Sequence, residues 1–467
     1  MIPARIEHLV RADGPAMQLA KRFAAAGHDL YLVGGSVRDA LLGRITPGTD
    51  LDYTTGARPE QIEQIVSGWA DSVFTVGAQF GTIGAIFGGY THEITTFRSE
   101  IYRDESRKPV VTFSDDIETD LSRRDFAVNA MALRLLPETE MIDPHGGLID
   151  LAASRLRTPL NPGISFGDDP LRMLRLYRFV SSLGFEPDPG AAAAVMAMRE
   201  RLSIISPERI RDELTRLLVG EHVALGLEGL VSSGLSEEFI PELAALATQH
   251  DPLHRHKDVL AHTIAVVAKT PADPIVRLAA LFHDVGKPDT REFGRGTVTF
   301  HHHEVVGARL TRARMKELRF PNEETDQVSR LVYLHMRPHT FKLGWTDRAV
   351  RRYVRDAGPL LDRLNTLVRC DVTTRNARRE RAILNRIDEL EERIADLRQR
   401  EELDAIRPPI DGNRVMAFLG IKPGPLVGKA MDMLLEYRLD EGPYDEDKAL
   451  ELLAEWAAAE GVEVTGE

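Results

Sequence analysis

The sequence predicts an α+β fold in which an α/β section of about 150 residues precedes a mostly helical remainder. Three observations carry this. Short β-branched runs separated by glycine-containing turns crowd the first third of the chain. From about residue 151 the strand signal fades and helical spacing takes over. Residues 380–404, dense in Glu, Arg and Leu, read as one long solvent-facing helix.

In chain order, a helical pattern over 14–26 leads into a strand, Tyr31-Leu32-Val33, and a second helix over 35–42. Ser72-Val73-Phe74-Thr75-Val76, Thr82-Ile83-Gly84-Ala85-Ile86-Phe87 and His92-Glu93-Ile94-Thr95-Thr96-Phe97 read as further strands. The polar stretch from Tyr102 to Pro109, between Ile101 and Ser114, reads as an exposed loop. Helices are expected over 171–183, 191–201 and 207–218, the last opening on Ser206-Pro207. Pro408-Pro409 breaks the chain before a last helical section. No internal repeat or low-complexity tract is present.

Composition narrows the function classes. Apolar residues make up 43% and charged residues 28% of 467, which excludes a mostly disordered chain. No run of 18 apolar residues occurs, and the N-terminus carries Glu7 with no apolar stretch, so neither a membrane span nor a signal peptide is expected. The single cysteine, Cys370, cannot form an internal disulfide, and the chain reads as cytoplasmic. A net charge of −13 excludes a uniformly basic coat but leaves room for a local basic face. Only ten of the 59 basic residues are lysine. Arginine suits bidentate phosphate contacts, and a bias in genomic base composition gives the same excess.

Leu32-Val33-Gly34-Gly35-Ser36-Val37-Arg38-Asp39 is a strand ending in two glycines that open a helix. Such a turn lets backbone N–H groups approach a phosphate, or it is a tight structural turn. Arg38, a cation in the first helical turn, opposes the helix dipole and makes sense beside a bound anion. Asp50-Leu51-Asp52 follows a loop ending in Pro47-Gly48-Thr49; residues two apart in a strand share a face. Two carboxylates so placed can hold a pair of divalent cations for in-line nucleotidyl displacement, or they are a surface Asp pair in a turn. Glu93 is either a third carboxylate near the metals or a solvent-facing strand residue.

These motifs, followed by Arg123-Arg124-Asp125-Phe126-Ala127-Val128-Asn129-Ala130-Met131-Ala132 and Asp168-Asp169-Pro170-Leu171-Arg172-Met173-Leu174-Arg175, resemble those of class II tRNA nucleotidyltransferases. That family comprises the CCA-adding enzymes and the bacterial poly(A) polymerases. The resemblance covers roughly the first half of the chain, in the family's order. It implies a polymerase-β-like α/β palm, a helical neck, and addition of C, C and A to tRNA 3′ ends from CTP and ATP without a nucleic-acid template. Asp50 and Asp52 would be catalytic and hold Mg²⁺. Gly34, Gly35, Ser36, Arg38, Arg124, Asp125, Asn129, Asp169, Arg172, Arg175 and Arg178 would bind the nucleotide. Asp168 stands where the family often has Glu. Asp169 and Arg172, taken as i and i+3 on one helix, would read the base edge, and Arg178, drifting round the helix, is equally well placed for a structural ion pair in the neck. A carboxylate accepts from an exocyclic amine and a guanidinium donates to a ring nitrogen, a pairing that cytosine and adenine satisfy and uracil and guanine do not.

Ten of fifteen histidines fall between His250 and His339. His262, His283-Asp284 and Asp371 resemble the H…HD…D pattern of the HD phosphohydrolase superfamily, with His301, His302, His303, Glu304 and His335 as further candidate ligands. The resemblance implies a site for one or two ions, a divalent transition metal or Mg²⁺ or Mn²⁺. It also implies hydrolysis of phosphate-terminated or cyclic-phosphate RNA ends; the alternative is a retained scaffold that shapes the tRNA surface. Arg348, Arg351, Arg352, Arg355, Arg363, Arg375, Arg378, Arg379 and Arg381 either line an RNA groove or form a solvated helical face paired with acids. Leu419 to Lys429 reads as a helix–loop–helix. The expected domains are a head over 1–150, a neck over 151–245 with the nucleotide template and RNA-binding region, an HD domain over 246–390 and a helical tail over 391–467. Poly(A) polymerase, a CC-only or A-only enzyme, and a metal phosphohydrolase with an RNA-binding N-terminal half are the rival readings.

Overall fold

The computed structural model describes residues 6, 10–45, 50–101, 110–247, 259–293, 298–338, 341, 345–374, 376–401, 406–462 and 464. Pro47-Gly48-Thr49, the stretch from Tyr102 to Pro109, His250, His339 and Arg375 lie outside the described residues. Contacts divide the chain into two units, Met1–Ala244 with Glu317–Arg319, and Ala245–Lys316 with Phe320–Glu467.

In the first unit, helix α1 (Pro15–Ala25) enters strand β1 (Leu30–Val33), helix α2 (Gly35–Leu41), β2 (Leu51–Thr55), α3 (Pro59–Val66), β3 (Ser72–Phe74), β4 (Thr82–Phe87) and β5 (Tyr90–Thr96). Next come β6 (Arg98–Ile101), β7 (Val110–Phe113), α4 (Ile117–Ser122), β8 (Ala132–Arg134), β9 (Glu140–Ile142) and α5 (Gly147–Ala152). The sheet runs β3-β4-β5-β2-β1-β8-β9, with β2 parallel to β5 and the other neighbours antiparallel. β6 and β7 form a separate antiparallel pair, so the flanks of the expected loop are strands. Strand alternation splits the core between the two faces. Leu30, Leu32, Leu51, Tyr53 and Ile94 pack with Phe23 and Leu19 of α1 and Ile62 of α3. Tyr31 and Val33 turn the other way, onto Phe97 and Leu121.

The unit continues through α6 (Pro162–Asp168), α7 (Leu171–Leu183), α8 (Pro189–Met198), α9 (Pro207–Leu218), α10 (Val223–Ser232) and α11 (Pro241–Ala247). α7 is buried along most of its length and packs against α9 and α10. Gly229 and Gly226 permit this approach, since a Cβ at Gly229 would lie 2.5 Å from the Tyr177 ring and one at Gly226 2.7 Å from Ser181.

The second unit holds α12 (Val259–Lys269), α13 (Pro274–Phe282), α14 (His303–Glu317), α15 (Asn322–Leu334), α16 (Asp347–Ala357), α17 (Leu361–Asp371) and α18 (Ala377–Arg400). α19 (Gly412–Leu419), α20 (Pro425–Glu441) and α21 (Glu446–Glu460) follow. The left-handed Gly420 ends α19, as the glycine-bearing turn anticipates. α18 departs from the solvent-facing expectation: Ile387, Leu390, Ile394 and Leu397 are buried, a narrow stripe with seven-residue spacing that seats one side of the helix.

The arginines of α16, and Arg363 of α17, pair with acids. Arg351 makes a bidentate pair with Glu401 at 2.8 and 2.9 Å, and Arg438 of α20 reaches the same carboxylate at 3.2 Å. Arg348 and Arg352 pair with Asp440, Arg355 with Glu436 and Arg363 with Asp273. These five thus lie on acid-paired helical faces, one of the two arrangements expected for them, while Arg378, Arg379 and Arg381 are exposed. Among the described residues no helix is long and apolar enough to cross a membrane.

Candidate functional site

The sheet face opposite α1 and α3 carries the chemistry. Because Leu51 and Tyr53 point into the core, Asp52 projects from the other side of β2. The parallel register sets Glu93 of β5 directly beside Asp52. Asp50 stands exposed just before β2, so the strand begins one residue after it rather than including it. Ser36 ties this segment down: its buried hydroxyl accepts from the Asp52 amide at 2.9 Å and donates to the Asp50 carbonyl at 3.4 Å. Expected to face a nucleotide, that hydroxyl instead fixes the carboxylate strand to the start of α2.

Gly34 has φ 65° and ψ −131°, a backbone region that in effect only glycine occupies. A Cβ there would lie 3.1 Å from Arg124 Nη1. Gly34→Ala is therefore expected to cost about 1–3 kcal/mol of stability and to raise KM for nucleotide together. Thermal denaturation and steady-state kinetics on the same preparation test this, and wild-type behaviour in both would refute it. Arg38, expected in the first turn of α2 as a cation opposing the dipole, lies in the last turn of this short helix, where a cation complements the dipole. It grips Asp39 through two hydrogen bonds of 2.8 Å and donates to Asn129 Oδ1 at 2.5 Å.

A cleft of about 810 Å³ opens over this face, lined by Gly34, Gly35, Arg38, Asp52, Arg124, Asp125, Asn129, Asp169, Arg172, Arg175 and Arg178 among others. Asp50 and Ser36 are not on its wall. Asp125 is engaged within the protein: it accepts from Arg175 at 2.9 and 2.5 Å, from Asn129 Nδ2 at 2.9 Å and from its neighbouring amide. Burial alone would raise its pKa, but Arg175 and Asn129 hold it below the usual carboxylate range. Arg175 also reaches Glu213 of α9 at 3.2 Å, and Arg178 stands 2.6 Å from the same carboxylate. Burial and the neighbouring Arg175 bring Arg178 down to about 10. Arg178 thus takes both roles open to it, lining the cleft and forming an ion pair in the helical section.

Asp169 and Arg172 both line the cleft but do not share a helix. Asp169 is the residue after α6, extended at φ −134° and ψ 99°, and α7 begins at Leu171. Pro170 is the cause, since the residue before a proline is steered out of helical geometry. Asp169 Oδ1 accepts from the Leu171 amide at 3.1 Å and Oδ2 from Arg209 at 3.0 Å. Arg172 donates to Ser165 Oγ at 2.9 Å and to the Arg123 carbonyl.

The carboxylate group suits a cation. Burial lifts the pKa of Asp52 to about 6, with Glu93 and Asp50 adding repulsion against the pull of Arg124. Hard oxygen donors repelling one another beside a cleft are what Mg²⁺ relieves.

In the second unit, His262 (α12), His283 and Asp284 (just after α13) and Asp371 (end of α17) converge as expected. Asp284 Oδ2 lies 3.5 Å from His262 Nε2 and 3.3 Å from His283 Nε2. Its other oxygen, Oδ1, lies 3.5 Å from His303 Nε2, which is 3.3 Å from His335 Nε2. One carboxylate therefore joins two potential ligand groups, His262–His283–Asp284 and Asp284–His303–His335. The imidazoles are oriented alike. His283, His303 and His335 each direct Nδ1 at a carbonyl three residues back, at 2.7, 2.9 and 2.6 Å, and His262 Nδ1 meets Thr373 at 2.6 Å. All four thus aim Nε2 at the centre, which fits divalent metal binding. Against burial, Asp284 and Asp371 hold the His283 pKa up at about 9, a demand for positive charge in the middle. Gly286 permits the assembly, since a Cβ there would lie 2.1 Å from the His303 carbonyl. His301 and His302 are exposed and stand apart from the two groups.

Comparison with known proteins fits both sites. The Poly A polymerase head domain matches residues 30–157, the probable RNA and SrmB-binding site of polymerase A residues 184–246, and the HD domain residues 259–391. The CC-adding tRNA nucleotidyltransferase of Thermus thermophilus is 32% identical over 453 residues, 94% of this chain and 96% of that protein. The chain belongs to the tRNA nucleotidyltransferase family. The A-adding tRNA nucleotidyltransferase of Deinococcus radiodurans is 33% identical, covering 87% and 91%. The CCA-adding enzyme of Lacticaseibacillus paracasei is 40% identical over 50% of this chain and 56% of that one. The CCA-adding enzyme of Bacillus stearothermophilus, solved with CTP, shares the fold at TM-score 0.68 and 23% identity over 98% and 99% of the two chains.

This nucleotidyltransferase carries site-supporting residues that sequence reading missed. Asp120, Glu213 and Arg209 hold the arginines and Asp169 in place, yet no motif spacing marks them. The only signal was a polar residue at an inward position of an amphipathic helix, as Glu213 is among Ile210, Leu214 and Leu217 of α9.

Proposed function

We propose that this enzyme adds C, C and A to the 3′ end of tRNA from CTP and ATP. The observation that carries the reading is the convergence, on one sheet face, of a glycine turn, the Asp52–Glu93 carboxylates and an arginine-lined cleft. We read residues 1–150 as catalytic head, 151–245 as neck, 246–390 as HD domain and 391–467 as tail. Asp50 and Asp52, with Glu93 alongside, would hold Mg²⁺. Bound there, the metal supplies charge neutralisation and a lowered pKa for the attacking hydroxyl. Arg38, Arg124 and Arg175 take the triphosphate charge, and Gly34 and Gly35 let the backbone approach it. The tRNA 3′ oxygen bonds to the α-phosphorus, and pyrophosphate leaves.

A second reading, addition of CC alone or of A alone, is favoured by the two relatives that match nearly the whole chain. One assay separates them: tRNA lacking CCA, and tRNA ending in CC, each incubated with CTP, ATP or both. A stop after three additions supports CCA addition. A stop after two cytidines, or extension of the CC end only, supports the narrower activities, and an open-ended A ladder supports poly(A) synthesis.

Nucleotide choice is assigned to Asp169 and Arg172. A mismatched base leaves a charged group without its partner, so together they would supply roughly 10²- to 10⁴-fold discrimination. Asp169→Ala is expected to raise kcat/KM for UTP and GTP relative to CTP and ATP while keeping most nucleotide affinity. Unchanged rejection of UTP and GTP in both Asp169→Ala and Arg172→Ala would place base reading elsewhere. For the second unit we propose a phosphohydrolase centre. There His262, His283, Asp284 and Asp371, with His303 and His335, would hold one or two divalent ions that supply Lewis-acid activation of a phosphate ester. The two ligand groups that share Asp284 support this reading.

A further inference from the structure

Asp120, on the short helix α4, is wholly buried yet bound to charged groups that face the cleft. Its Oδ1 accepts from Arg123 Nε at 3.0 Å and Nη2 at 2.6 Å, and from the Arg98 amide at 3.4 Å. Its Oδ2 accepts from Arg124 Nη2 at 2.9 Å and lies 3.4 Å from the Thr54 hydroxyl of β2, two residues beyond Asp52. A buried carboxylate without partners is costly, and here two adjacent guanidiniums meet it. One negative charge under two positive ones leaves a net positive charge turned towards the cleft, which Arg123 and Arg124 both line.

The geometry adds direction to that charge. Arg124 is gripped by Asp120 through Nη2, while its Nη1 faces the Gly34 turn, close to where a Cβ at Gly34 would stand. The guanidinium therefore spans from the buried acid to the glycine turn and cannot swing out without breaking a charge-assisted bond. Arg123, held by the same acid, offers its carbonyl to Arg172, so its placement passes on to the base-reading side of the cleft. The pKa of Asp120 is lowered: burial opposes ionisation, but Arg124 and Arg123 outweigh it.

We propose that Asp120 is a positioning residue for nucleotide binding, which fixes Arg124, and with it Arg123, so that the triphosphate meets preset positive charge. This rests on the reading of the cleft as the CTP and ATP site. Asp120 touches no nucleotide and acts through Arg124, and that defines the test. In the full-length protein, Asp120→Asn keeps shape but turns an acceptor into a donor facing a guanidinium. KM for CTP should rise roughly tenfold with kcat within about threefold, and calorimetric CTP binding without tRNA should weaken in parallel. The double variant Asp120→Asn/Arg124→Ala should bind CTP no more weakly than Arg124→Ala alone. Wild-type KM in Asp120→Asn, or additive losses in the double variant, overturns the proposal while a raised KM in Arg124→Ala leaves the cleft reading standing. Wild-type KM in Arg124→Ala overturns both. Should Asp120→Asn lose its far-ultraviolet circular dichroism, Asp120→Glu decides: it keeps the charge and displaces the carboxylate by one methylene. A folded Asp120→Glu with raised KM supports the proposal, and one with wild-type KM overturns it.

Discussion

Nucleotide addition falls by about 10³-fold or more in Asp52→Ala, and comparably in Asp50→Ala, while the fold survives. The magnitude follows from removing a charged group that acts on the transition state, where even one lost hydrogen-bond donor costs about 10²–10³-fold. Burial lifts the Asp52 pKa to about 6, and the repulsion of Glu93 and Asp50 is set against the pull of Arg124 and Arg38. Deleting the carboxylate therefore removes repulsion and attraction together and leaves the fold's stability little changed. Lost activity with a little-changed melting temperature is the expected pair of results. Near-normal incorporation at saturating Mg²⁺ by either variant would remove these residues from the catalytic centre.

If the proposed hydrolase reading of the second unit holds, Asp284→Ala and His283→Ala are expected to lose phosphate-ester hydrolysis and to retain nucleotide addition. Asp284 carries the larger share, because its two oxygens serve two ligand groups and one substitution dismantles both. The measurement is a screen of 2′,3′-cyclic and terminal phosphates with Mg²⁺, Mn²⁺, Ni²⁺ and Co²⁺, run beside CCA addition. No turnover by the wild-type protein with any metal would leave the second unit as a scaffold.

The helices α7 and α9 were legible from end to end, because apolar spacing and Pro207 mark them without help from the rest of the chain. β1 and β4 were legible from their β-branched runs, whereas β8 and β9 were not, being three residues long and held by pairing with β1 and with each other. The histidine cluster was visible in outline, yet only the fold separates His303 and His335, which join the centre, from His301 and His302, which do not. Charge partnerships were the least legible. Arg175 finds Asp125 fifty residues away and Arg351 finds Glu401 at the same separation, and local spacing carries no trace of such pairs. The three-residue spacing of Asp169 and Arg172 suggests one shared helix, but Pro170 holds Asp169 in an extended conformation before α7 begins at Leu171.

The alternation along β2 has a consequence for how this gene tolerates change. Leu51 and Tyr53 answer to the core, Asp52 between them to the reaction, and a slip of one residue would exchange their faces. Lesions at 51 and 53 cost stability, a quantity that osmolytes or a second stabilising substitution elsewhere can restore. A lesion at 52 costs the reaction rather than the core, so nothing of that kind restores it. Three consecutive codons thus interleave two kinds of constraint, one that the rest of the protein can compensate and one that it cannot.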